Sequence, residues 1–215
     1  MVQRKVILPV IYALSLLLSV YVVIQYFVFR PDQAAMVAAK LSDRSFPYTI
    51  WLYFFYPHII LGILALICGG FQLTHFSQRR RKQHRFFGRI YAYSVFLNSL
   101  IVPYLALFAT GGLPSTLAFL FLDLFWLVTT GLAILHIRNK KIAAHRRWMI
   151  RSYAVTFVFV TFRVLLVILQ LLSHAPFSIT FPLSIVLALL LNLAAAQIYL
   201  NKASWKQQPS KRLEG

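Results

Sequence analysis

His84-Arg85-Phe86-Phe87-Gly88-Arg89-Ile90-Tyr91 and His145-Arg146-Arg147-Trp148-Met149-Ile150-Arg151-Ser152-Tyr153 are two versions of one phrase, each standing where a basic run meets a long apolar stretch. In both, a Tyr closes the phrase two positions after an Arg, and a His opens it five or six residues before that Arg. The repetition predicts a helical hairpin used twice, with two histidines at matching positions.

Outward from these phrases the chain is mostly hydrocarbon. Apolar residues make up 60% of 215 positions, charged residues 12%, and the mean hydropathy is +0.73, so the surface of a water-soluble protein cannot be assembled from it. Crossing roughly 30 Å of lipid takes about 20 apolar residues per helix. Such spans are read at 6–29, 50–73, 89–110, 116–137, 148–172 and 177–200. The fold class is therefore all-α, an integral membrane helical bundle of six transmembrane helices whose central four derive from two repeated hairpins. The first span is too long for the apolar core of a signal peptide and lacks a small-residue cleavage site, and it counts as a membrane helix. Residues 1–206 form a single transmembrane domain and 207–215 a polar tail. Between the first two spans, 30–49 includes an amphipathic stretch, Gln33 to Leu41, suited to the membrane surface. The remaining connections are tight, which favours sequential antiparallel neighbours.

A net charge of +18 suggests nucleic acid in a soluble protein, but its placement argues otherwise. With six spans drawn, 18 of the 22 basic residues fall on one side, and the other side holds only Arg30, Lys40 and Arg44. That bias reports topology: a cytoplasmic (inner) membrane protein with both termini cytoplasmic, whose basic loops contact the anionic surface of the lipid bilayer. Nucleic acid is excluded as a partner because no basic region extends beyond a membrane-hugging turn. The single Cys68 lies within a span, which excludes an intramolecular disulfide. Tyr48, Trp51, Tyr91, Trp148 and Tyr199, near span ends, fit an aromatic belt, and His75 and His174 read as interfacial.

Two levels of polar residues remain. Asp123 is the only acid inside a span, and an ionisable group in hydrocarbon needs an interior position and a partner. Counted from the outer ends of their spans, Asp123, His58 and Arg163 lie at depths of roughly 10, 12 and 14 Å. They are expected to meet as a buried polar site, either an ion pair locking two helices or a proton, quinone or substrate-carboxylate site. Arg163 shares a helical stripe with Ser152, Thr156, Phe159 and Gln170, while His58 heads a stripe of Gly62, Ala65, Gly69 and Gln72. On the basic side, His84 and His145 fall at one level on helices that sit diagonally in a four-helix core. Two such imidazoles can clamp one haem iron, with Arg85, Arg89, Arg146 or Arg151 available to its propionates and His136 a substitute for either ligand. Phosphate loops, dinucleotide fingerprints, His-Glu-x-x-His pairs and nucleophile elbows are absent from the sequence.

The repeated phrases, together with Pro57-His58-Ile59-Ile60-Leu61-Gly62, Gly70-Phe71-Gln72-Leu73 and Arg163, resemble the bacterial membrane family catalogued as domain of unknown function 2306, over roughly residues 50 to 170. That resemblance implies a family and not an activity. More distantly, the four-helix core with inward histidines is similar to b-type membrane cytochromes. In those with two haems, the first and third core helices supply one axial pair and the second and fourth the other. His84 and His145 match the second pairing. Asp123 stands where His58 would need a partner, so the similarity implies at most one haem b, on the basic side. The reading that follows is a membrane redox protein carrying electrons, with a small-molecule partner such as quinone. The alternatives are an ion or small-molecule transporter using Asp123 and Arg163, and a non-enzymatic scaffold or assembly factor.

Overall fold

The structure is a computed structural model that describes residues 2–29 and 31–205; Arg30 and the 207–215 tail lie outside the described residues. Helix α1 (Val2–Val23) runs on through a π-helical turn at Ile24–Val28, and a 3-10 turn at Pro31–Gln33 leads into the short α2 (Ala35–Leu41). Then follow α3 (Tyr48–Gln72), α4 (His75–Arg79), α5 (Arg81–Leu107), α6 (Leu113–Arg138), α7 (Ile142–Thr156), α8 (Val158–Ser173) and α9 (Phe177–Trp205). Among the described residues six stretches are long and apolar enough to cross a membrane, with α7 and α8 together making the fifth. The all-helical membrane bundle expected from hydropathy is the fold observed.

The spans differ from expectation mainly at their basic ends. Helix α5 begins at Arg81 rather than 89, and α7 at Ile142 rather than 148, because a helix keeps its backbone paired well past the hydrocarbon edge. His84 and His145 therefore sit inside the first turns of two helices and not in the loops before them.

Packing proceeds around a square. Helix α3 packs on α5, α5 on α6, α6 on α7, and α7 back on α3, which leaves α5 and α7 at opposite corners. Helix α9 lies against α6, α7 and α8, and α1 flanks α3 and α8. At the centre Gly69 admits two rings: a Cβ there would lie 2.7 Å from the Tyr91 ring and 2.6 Å from that of Tyr153. Outward-facing residues such as Leu100 (77% exposed) and Leu172 (76% exposed) are apolar, as a lipid-facing surface requires.

The fifth span breaks at Phe157 with neither Pro nor Gly nearby. Asn192 of α9 donates from Nδ2 to the Ala154 carbonyl (3.1 Å) beside the break, and its Oδ1 accepts from Thr161 Oγ1 (3.1 Å) just beyond it. Thr156 and Thr161 also turn their hydroxyls back onto carbonyls one turn earlier. Side chains that enter the backbone ladder in this way interrupt or bend helices.

At the end opposite the basic loops, α2 folds over the bundle. Val37 is buried against Trp51, which stacks on Phe55 with centroids 4.1 Å apart. Lys40 Nζ donates to the Phe108 carbonyl at the end of α5, where a cation suits the helix dipole. Trp51 is thus a buried anchor, only 4% exposed, and not a member of an exposed belt.

Candidate functional site

Three polar layers cross the bundle. The first, at its basic end, holds His84 and His145. Each lies four residues into its helix, and the two helices stand at opposite corners of the square. His145 Nδ1 lies 2.8 Å from the Ala133 carbonyl. A carbonyl only accepts, so Nδ1 carries the proton and Nε2 the lone pair. His84 Nδ1 lies 3.2 Å from Ser77 Oγ, and Gln72 Nε2 donates to the His84 carbonyl (2.9 Å), tying α3 to the start of α5. Ser77 is fully buried and belongs to α4, whose N-cap hydroxyl, Thr74 Oγ1, accepts from the Ser77 amide (3.1 Å).

Arg89 and Arg151, expected beside these histidines, are turned away. At about 100° per residue, Arg89 lies about 140° around α5 from His84, and Arg151 about 120° around α7 from His145. Arg89 is exposed, and Arg151 donates to Gln197 Oε1 (2.9 Å) while its guanidinium covers Trp148 at 4.7 Å. Arg85 and Arg146, which directly follow the histidines, are exposed cations at this end. His136 has its Nδ1 2.7 Å from the Leu132 carbonyl, which leaves Nε2 the lone pair as at His145, but its ring is stacked on Trp148.

The second layer was missed from sequence. Tyr91 is fully buried, and its hydroxyl meets Ser152 Oγ (2.6 Å) and Thr156 Oγ1 (2.8 Å) across the diagonal from α5 to α7. Trp126 Nε1 donates to Thr156 Oγ1 (2.8 Å), and Thr130 Oγ1 joins Ser152 Oγ (2.7 Å). Tyr91 is therefore the hub of a closed network and not part of an interfacial belt. The available signal was Gly69, on the stripe of small residues in α3, whose missing side chain makes room for the Tyr91 ring.

The third layer holds His58, Asp123 and Arg163, and it is divided. His58 Nδ1 lies 2.7 Å from Asn98 Oδ1, while Asn98 Nδ2 donates to the His58 carbonyl (3.3 Å). The second bond fixes the amide orientation, so Oδ1 accepts and His58 Nδ1 carries the proton. Asp123 belongs to a different interface: Ser99 Oγ donates to its Oδ1 (2.9 Å) between α5 and α6. Arg163 donates from Nη1 to the Phe159 carbonyl of its own helix (2.6 Å), and its charge acts on His58, Tyr26 and Tyr21. The expected Asp123–Arg163 pair does not form, because α8, which carries Arg163, packs closely on α9, α7 and α1 and not on α6; His58 is likewise kept from Asp123, since α6 stands diagonal to α3 with α5 between them. A depth counted along a helix gives a level and not a corner. Of the stripe drawn through Ser152, Thr156, Phe159, Arg163 and Gln170, Thr156 and Phe159 both meet Trp126 across the break, while Gln170 reaches Thr180 on α9. The transport reading loses the pair on which it was built.

A family model described as "Predicted membrane protein (DUF2306)" matches residues 55–200. The chain belongs to that family. The match to domain of unknown function 2306 covers most of α3 and all of α4 to α8, and runs well into α9, so all three polar layers lie within it except for the contribution of α1. No curated protein and no solved structure matches the chain. The family description carries membrane residence and leaves the activity open.

Proposed function

We propose that the protein is an electron carrier of the cytoplasmic membrane that holds one haem b between His84 and His145. The observation that carries this reading is the pair itself: two imidazoles at the same end of diagonal helices, both anchored at Nδ1, one of them held by a carbonyl in the tautomer that leaves Nε2 its lone pair. A histidine fixed at Nδ1 by its surroundings is how proteins present Nε2 to a metal. Gly88 lies one turn inward from His84 on the same face, where the nearest atoms to a Cβ would be those of the Gln72 side chain at 3.7–3.9 Å. When bound, the haem supplies one-electron chemistry that the side chains lack.

The chain's own residues do the rest. Ser77 and the Ala133 carbonyl orient the two rings. Arg85 and Arg146 offer guanidinium forks at the membrane edge to carboxylates. The closed Tyr91 network forms a floor whose hydroxyls are already paired, which disfavours water entry. The excess of basic residues orients this end toward the cytoplasm with both termini, against anionic lipid, and a lipid-soluble quinone is the partner class such a carrier needs. The test is the difference spectrum, dithionite-reduced minus air-oxidised, of protein purified after expression with haem supplied. A Soret shift lost in His84→Ala and in His145→Ala, yet kept in His136→Ala, is expected; colourless wild-type protein refutes the reading.

A further inference from the structure

Arg163 lies ten residues before the end of α8, and its guanidinium points a further turn inward, to the Phe159 carbonyl. From Phe159 to the helix end at Ser173 is roughly 21 Å, deeper than a phospholipid head group reaches. Among the chain's acids, Asp32 and Asp43 lie in the connection after the first span, Glu214 lies outside the described residues, and Asp123, alone at membrane depth, is engaged by Ser99 at another interface. A guanidinium has five N–H groups, and among the described residues this one makes a single hydrogen bond. An intramembrane cation so poorly matched is costly to retain.

The surroundings describe what would offset it. The guanidinium lies over the Phe162 ring at 4.9 Å, and Phe159 stands between it and the His58 ring, 6.3 Å from the latter. Opposite is α1, where the helix loosens into the π turn at Ile24–Val28 that carries Tyr26. Such π turns are favoured where a helix makes room for function. Arg163 is partly exposed, and none of its nitrogens is among the described buried side-chain atoms left without a partner. Aromatic neighbours and a partly exposed cationic fork at membrane depth suit an acid with a hydrocarbon tail.

We propose that Arg163 receives the carboxylate of a membrane-soluble fatty acid where α1 packs against α3 and α8. The planar fork matches a carboxylate in two parallel hydrogen bonds, and the pair is neutral in hydrocarbon. This site is independent of the haem reading, which concerns the opposite end of α7 and α5.

The test uses the full chain, purified in neutral detergent and delipidated, with oleate as probe. Native mass spectrometry is expected to retain one oleate per chain, and oleate is expected to raise the melting temperature. Arg163→Gln should weaken binding at least tenfold, while the ligand-free variant melts no lower than wild type, since an unmatched charge has been removed. Arg163→Lys, which keeps the charge and loses the fork, should weaken it at least threefold and serves if the Gln variant does not fold. Methyl oleate should not bind, and neither phosphatidylglycerol nor a short-chain quinone should displace oleate. Equal binding of the methyl ester, unchanged binding in both variants, or displacement by the phospholipid or the quinone would each overturn the assignment.

Discussion

The layer around Tyr91 and the layer around Arg163 are both polar and both inside the membrane, yet they are built on opposite terms. At Tyr91 each hydroxyl finds another: Ser152 has Thr130 as well as Tyr91, and Thr156 has Trp126. At the Arg163 level the polar groups split into separate pieces, His58 with Asn98 and Ser99 with Asp123, and the strongest charge is left with one carbonyl. A closed network in a low dielectric fixes helix positions. An open one leaves binding capacity, and binding is where function is sought.

The comparison can be broken at its closed side first. Tyr91→Ala should cost about 3–5 kcal/mol through cavity and network together, read as loss of thermal stability in detergent. Gly69→Ala drives a methyl into the Tyr91 and Tyr153 rings and should cost about 1–3 kcal/mol. If either variant melts with the wild type, the central network does not hold the helices. A milder probe is Tyr91→Phe, which removes one hydroxyl while leaving Ser152 and Thr156 their other partners; about 1 kcal/mol is expected.

Lys40 tests the end beyond the Arg163 layer. Burial where α2 folds onto the bundle lowers its pKa from 10.5 to about 8. Between those values the unfolded chain binds a proton that the folded chain does not, so stability should rise as pH increases from about 8 to 10.5. Below pH 8 both states are protonated and the cost of burying the cation is carried in full. Because the group is partly exposed, screening limits the gain to about 1 kcal/mol. Melting curves across that window should show the rise in wild type and not in Lys40→Met. The smallest effect is expected at Asp123: a double-mutant cycle of Ser99→Ala with Asp123→Asn should give a coupling of about 0.6 kcal/mol. A coupling of several kcal/mol would mean that Asp123 has a further partner and that the open layer is not open.

Much of this architecture is legible in the sequence because hydropathy alone separates six spans, and the repeated phrase carries the register of two hairpins. The matching levels of His84 and His145 follow from that repeat. Which corner of the bundle a residue occupies does not. Asp123 has the right depth to meet His58, and only the packing order puts α5 between them. Tyr91 looks interfacial from its distance to the basic run, because the sequence hides that α5 continues helically from Arg81. The break at Phe157 has no Pro or Gly to mark it; Asn192, far along the chain, bonds on both sides of it.

Electron paramagnetic resonance of the oxidised, purified protein tests the haem assignment most directly. Ligation by both imidazoles predicts a low-spin ferric signal that becomes high-spin in His145→Ala and in His84→Ala alike. A low-spin signal that persists unchanged in either single variant, or protein that takes up no haem iron at all, would contradict it.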